Sequence, residues 1–195
     1  MTKPVASPPA RFQLKAATAQ DHAAIEAGFA DLDLTRFDDY RTFIEAHAAA
    51  IPPLERAVEA CGAAALLSDW PQRRRTAAIA DDLALLSGKR CDLEAPLFAT
   101  SDAGLGALYV LEGSRLGGRV LSAVVEESRD DRVRRAKRFL AHGGVELWQS
   151  FAAFLNVQLA SDAQIAAAIS GARTAFNFFA KAQQAVAPER NTVHV

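Results

Sequence analysis

The sequence predicts an all-α, single-domain helical bundle, on three observations. Half of its 195 residues are hydrophobic, alanine prominent among them, and only eight prolines and eleven glycines interrupt the chain; such composition favours helices. Apolar residues recur at three- and four-residue intervals over most of the length, the period of a half-buried helix. No run of alternating β-branched residues is present to build a sheet. A chain of this length suits one domain and can bury a substantial core.

Taken in order, residues 1–10 carry three prolines and are expected as a loose tail before a domain over 11–187. A first helix is predicted from Phe12 to Phe29, with Leu14, Ala17, Ile25 and Phe29 apolar, and a turn over Asp31–Thr35. A second starts near Phe37, buries Tyr40, Phe43, Ile44 and Ala48, and is interrupted or kinked at Pro52 and Pro53 before Leu54–Ala60. Gly62–Trp70 has no clear period. Pro71 suits the first turn of a helix carrying Ile79, Leu83 and Leu86 to a stop at Gly88. After a connector over Cys91–Thr100, Ser101 or Asp102 can cap a long helix that reaches Glu127. A charged segment from Asp130 leads through Phe139 and Leu140 to Gly143-Gly144. Glu146–Leu159 is helical, Ser161 or Asp162 starts a last helix to Val186, and residues 188–195 are a tail.

A formal net charge of −1 excludes a strongly basic nucleic-acid binder. No apolar stretch is long enough to span a bilayer, and Met1–Arg11 lacks the apolar region of a signal peptide. Cys61 and Cys91 follow no metal or disulfide spacing and are expected as reduced thiols of a cytoplasmic protein. Two basic runs, Arg73–Arg75 and Arg132–Arg138, could dock an acidic electron donor or form solvated faces paired to Asp130 and Asp131.

The long helix bears Gly113, Gly117 and Gly118 in its middle. Each glycine costs roughly 1 kcal/mol against alanine in a helix interior. Gly113 and Gly117, four apart, share a face and leave a strip of bare backbone. Such a strip admits either a close-packed helix or a flat, bulky ligand. Among four histidines, His22 stands out because Glu26, four residues on, can reach its imidazole, with Thr18 on the same face. The pair can be a solvated face. It is also the arrangement in which a carboxylate fixes the tautomer of a metal-bound imidazole. One axial histidine plus a bare helix face, without other metal ligands, is what a heme held between two helices requires. Motifs for di-iron, zinc and serine-hydrolase chemistry are missing.

Two blocks, Leu14–Glu26 and Leu108–Leu121 (Leu-Tyr-Val-Leu-Glu-Gly-Ser-Arg-Leu-Gly-Gly-Arg-Val-Leu), resemble the biliverdin-producing heme oxygenase family, particularly its bacteriophytochrome-associated bacterial branch. Weaker echoes lie at Phe139–Phe151 and Ala172–Phe176. The resemblance implies that heme is both substrate and cofactor, its iron ligated by His22 with Glu26 as hydrogen-bond partner. Gly113, Ser114, Gly117 and Gly118 then match the distal helix, where Ser114 replaces the carboxylate of some relatives. Lys15 and Tyr109 match propionate contacts, and Phe176 matches the pocket wall. Gln149–Leu155 carries no Lys or Arg to match the basic propionate contacts of some relatives. The implied reaction cleaves heme to biliverdin, CO and free iron using O2. Electrons would come from a donor such as a ferredoxin or a reductase, and a bacteriophytochrome is the implied acceptor. A heme-binding sensor of the same fold without turnover is the alternative.

Overall fold

In a computed structural model that describes residues 8–187, the chain forms nine α-helices and no strand among those residues. The helices are α1 (Ala10–Ala17), α2 (Ala19–Phe29), α3 (Phe37–Ala60), α4 (Trp70–Arg73), α5 (Thr76–Leu85), α6 (Ser101–Glu126), α7 (Asp131–Arg135), α8 (Val145–Gln158) and α9 (Asp162–Val186). A 3-10 turn, Ala64–Leu66, occupies the stretch without a clear period. The tails expected over 1–7 and 188–195 lie outside the described residues, whereas Ala10 already belongs to α1.

Several boundaries follow from capping chemistry. Thr100, rather than Ser101 or Asp102, caps α6 by accepting from the Ala103 N–H at 3.2 Å. Ser161 and Gln164 close a capping box at the start of α9. Gly143, with φ of 77°, turns the chain into α8.

Four expectations need correction. The predicted first helix divides at Thr18, whose side chain is buried and donates back to the Leu14 carbonyl at 2.8 Å. Thr18 therefore does not share the exposed face of His22 and Glu26. α3 is not interrupted at Pro52 and Pro53 but continues from Phe37 to Ala60, because packing holds it on both sides of the two missing N–H donors. The helix expected from Pro71 to Gly88 is two helices, α4 and α5, divided at Arg74 and Arg75. Of the basic run there, Arg73 and Arg75 are buried, so it is not a docking surface.

α9 is the central element, packed by α1, α2, α3 and α6. Its crossing with α6 is antiparallel and close. A Cβ added at Gly106 would overlap the Ala168 carbonyl, and one at Gly171 would overlap the Ala103 carbonyl. α2 instead runs parallel to α9. Arg173 donates to the Ala17 carbonyl at 3.0 Å near its start, and Gln183 donates to the Ile25 carbonyl at 2.9 Å near its end. The core fills the space among α3, α6, α8 and α9, with Tyr40, Ile44, Leu105, Leu108 and Phe151 fully enclosed.

Candidate functional site

α2 has no buried residue, although it carries Ile25 and Phe29. It leans on α9 and forms no comparable interface with α6. Links lie near both ends of α2. At one end Arg173 of α9, two residues beyond Gly171, contacts Ala17 and Asp21. At the other, Ser128, just past α6, donates to the Thr35 carbonyl, just past α2, at 2.6 Å. Between these links α2 buries no residue, and the side chain of His22 on it is open.

His22 stands on α2 with its side chain 61% exposed and Nδ1 3.4 Å from Glu26 Oε2. The carboxylate engages one ring nitrogen and leaves Nε2 for another partner. Phe176 of α9 meets the imidazole edge-on, ring centroids 6.0 Å apart. Contacts then run on through the protein to the glycine stretch. Phe179, a turn beyond Phe176, packs on His47 of α3, which is also enclosed by Phe29, Phe43 and Phe139. His47 Nδ1 pairs with the Phe43 carbonyl at 2.8 Å. Burial drives its pKa down to about 4, so the ring is neutral at physiological pH and Nδ1 carries the donated proton. The Arg75 guanidinium covers Phe139 at 5.0 Å and donates to Ser114 Oγ at 3.0 Å.

The glycines of α6 divide by function. Gly104 and Gly106 serve packing, against Cys61 and Ala63 and against Ala168. Gly118 is buried, and its Cβ would sit 3.0 Å from the Leu140 carbonyl, so it lets a loop close on the helix. Gly113 abuts Trp148, at 3.6 Å from where a Cβ would be. Gly117 is exposed and faces open space, with nothing within 4 Å. Packing thus accounts for Gly104, Gly106 and Gly118, whereas a Cβ at Gly113 would make only an ordinary contact and one at Gly117 would meet nothing. Ser114 Oγ donates to the Leu111 carbonyl at 2.8 Å. Tyr109 is half-buried against Trp148, ring centroids 5.8 Å apart, and burial raises its hydroxyl pKa. Lys15 is exposed on α1 and makes no ion pair among the described residues. The structure brings His22 to Glu26 and Phe176, and Tyr109 to the ring beside Gly113. It shows no contact between Lys15 and the other candidates.

Sequence reasoning missed the support behind this stretch. Glu112, buried, accepts from Arg73 at 2.6 Å and from Arg115 at 2.9 and 2.7 Å. Arg115 Nη1 also reaches His142 Nδ1 and the His142 carbonyl, both at 3.1 Å. Burial and then the Arg115 charge lower the His142 pKa, which keeps Nδ1 an acceptor. A signal was present: Glu112 and Arg115 fall four residues after Leu108 and Leu111, on the apolar phase of the helix. The second basic run forms the ion pairs of a solvated face. Arg132 pairs with Asp130, Arg134 with Asp131, Lys137 with Glu126 and Arg138 with Asp81.

A separate cleft of about 420 Å³ between α3 and α5 is lined by Pro52, Ile79, Leu83, Arg90 and Cys91 and shares no lining residue with the site above. No helix among the described residues is long and apolar enough to cross a membrane. No group of three His, Cys, Asp or Glu side chains among the described residues is disposed to hold a metal ion.

Comparison with known proteins identifies the family. The heme oxygenase family model matches residues 98–185, a span that includes all of α6 and nearly all of α9. A heme oxygenase of Xanthomonas campestris pv. campestris (strain 8004) is 39% identical over 114 residues, covering 57% of this chain and 68% of that protein. The fold is that of the heme oxygenase of Neisseria meningitidis, solved with NO and CO bound, with a TM-score of 0.77 at 22% identity over 92% of each chain. The chain belongs to the heme oxygenase family.

Proposed function

We propose that this protein is a heme oxygenase whose substrate enters a cleft between α2 and α6, with His22 as the iron ligand. The observation that carries the reading is the pairing of an imidazole whose Nε2 is left available by Glu26 with a glycine, Gly117, that opens onto empty space. Heme fits this set of residues: a single imidazole donor, aromatic walls from Phe176, and backbone bare enough for a flat ring to approach. When bound, it supplies the iron that activates O2 and the porphyrin that is opened to biliverdin, with release of CO and iron.

The chain's own residues have separate tasks. Glu26, 3.4 Å from Nδ1 of His22, would accept from it, fixing the tautomer and raising the basicity of Nε2. Phe176 holds the imidazole plane from its edge. Gly113 and Gly117 keep side chains out of the space above the ring. Ser114 directs its proton to the Leu111 carbonyl and so presents an acceptor oxygen, already engaged by Arg75, rather than an acid. Lys15 of α1 and Tyr109 of α6 would meet the propionates. Electrons come from an external donor such as a ferredoxin or a reductase, and a bacteriophytochrome is the biliverdin acceptor we favour.

The test is a hemin titration of the full chain. A Soret band that is lost or strongly shifted in His22→Ala supports the ligand assignment. Conversion to a green pigment with ascorbate supports turnover. A stable Soret band without conversion would favour a heme sensor on the same fold, and no band would overturn the reading.

A further inference from the structure

Three buried arginines, Arg73, Arg75 and Arg115, stand behind the glycine stretch of α6 beside two buried carboxylates, Glu55 and Glu112. The carboxylates are already engaged. Glu112 lies between Arg73 and Arg115. Glu55 accepts the Arg75 and Thr76 backbone N–H groups at 2.6 and 3.2 Å and the Thr76 hydroxyl at 2.6 Å, and its ion-pair partner is Arg74 at 3.7 Å. Among the described residues the Arg75 guanidinium therefore has no carboxylate within ion-pair distance. Its Nη2 donates to the Leu111 carbonyl at 2.7 Å and to Ser114 Oγ at 3.0 Å, and the group lies over the Phe139 ring. Nε and Nη1 make no hydrogen bond among the described residues.

Arg75 is 3% exposed, and a buried guanidinium without a directly paired carboxylate is costly, although Glu112 and Glu55 act on its charge from farther off. Burial and then the Arg115 charge pull its pKa down to about 9, which still leaves it charged at neutral pH. In a poorly screened pocket such a cation attracts anions far more strongly than it would in water.

We propose that Arg75 makes the Ser114 side of the cleft an anion site, selecting small anions over neutral molecules as ligands on the heme face opposite His22. The inference rests on the heme reading above. Ser114 cannot itself select an anion, because its proton is committed to Leu111. The attraction comes from the cation behind it.

The experiment compares azide and fluoride binding to the hemin-loaded full chain with CO binding to its reduced form. Wild type is set against Arg75→Lys, which keeps the charge, and against Arg75→Met and Arg75→Gln, which remove it with an apolar and a polar side chain. Azide and fluoride affinity should fall roughly tenfold or more in the neutral variants and stay within about threefold of wild type in Arg75→Lys, while CO affinity is unchanged in all. Using two neutral variants keeps the test alive if one does not fold. A normal Soret band with unchanged azide and fluoride affinity in the folded neutral variants overturns this inference alone. Equal losses for CO and the anions overturn it too, since that pattern marks a merely structural arginine. Absence of a Soret band in wild type overturns the heme reading and this inference together.

Discussion

His47 is a single residue whose surroundings set a measurable pH response. Four phenylalanines enclose the ring, and it titrates near 4 in the folded chain against the ordinary 6.5 when unfolded. Below 6.5 the unfolded chain takes up a proton that the folded chain refuses, so stability falls as the pH drops, until the loss is complete below about 4. The gap corresponds to at most about 3 kcal/mol. Asp82 opposes this trend. Burial raises its carboxyl to about 6 while it accepts from the Arg138 and Phe139 N–H groups, so the folded chain takes up that proton first and gains stability as pH falls from 6 toward 4. Urea unfolding at pH 7 and pH 4 separates the two. His47→Phe should lose about 2–3 kcal/mol less than wild type over that interval. An equal loss in both proteins would mean that His47 is protonated in the folded state near its ordinary pH.

At the scale of the helix, α6 shows why a glycine count is a poor guide and a glycine's neighbours a good one. Gly106 lies where α6 crosses α9 at backbone contact, and any Cβ there overlaps the Ala168 carbonyl. Gly106→Ala should therefore cost roughly 3 kcal/mol or more, as overpacking at a rigid contact does. Gly117 meets nothing, so Gly117→Ala should stabilise the chain without heme by about 0.5–1 kcal/mol through helix propensity alone. Gly117→Leu should leave the chain equally helical while abolishing biliverdin formation, and normal biliverdin yield from it would count against the site. Chemical denaturation and a product assay check all three.

The same helix marks what the sequence could and could not reveal. Its length and the openness at Gly117, like the His22–Glu26 spacing on α2, were legible because each is local to one helix. The division at Thr18 was not, because it depends on a hydroxyl turning inward to Leu14. Arg73 and Arg75 read as a surface run, since only the fold brings Glu112 to one and Ser114 to the other across 39 residues of chain.

For the whole molecule, the uneven distribution of buried contacts leads to a prediction about motion. α9 and the first half of α6 are deeply packed, whereas α2 has no buried residue and the second half of α6 exposes Leu116, Val120 and Val124. In the proposed reading these two weakly packed segments are the walls between which the substrate would sit. Regions with few buried contacts open most readily, and a ligand that binds only the closed arrangement protects them. Amide hydrogen exchange on the heme-free chain should be fast over α2 and over the α6 segment after Arg115, and slow in α3 and α9. Hemin should slow exchange in both walls together and leave α3 and α9 nearly unchanged. Protection confined to α2 would show that iron ligation occurs without closure by α6. Protection at the separate cleft of Pro52 and Ile79, with none in α2 or α6, would move the substrate site to the other side of α3.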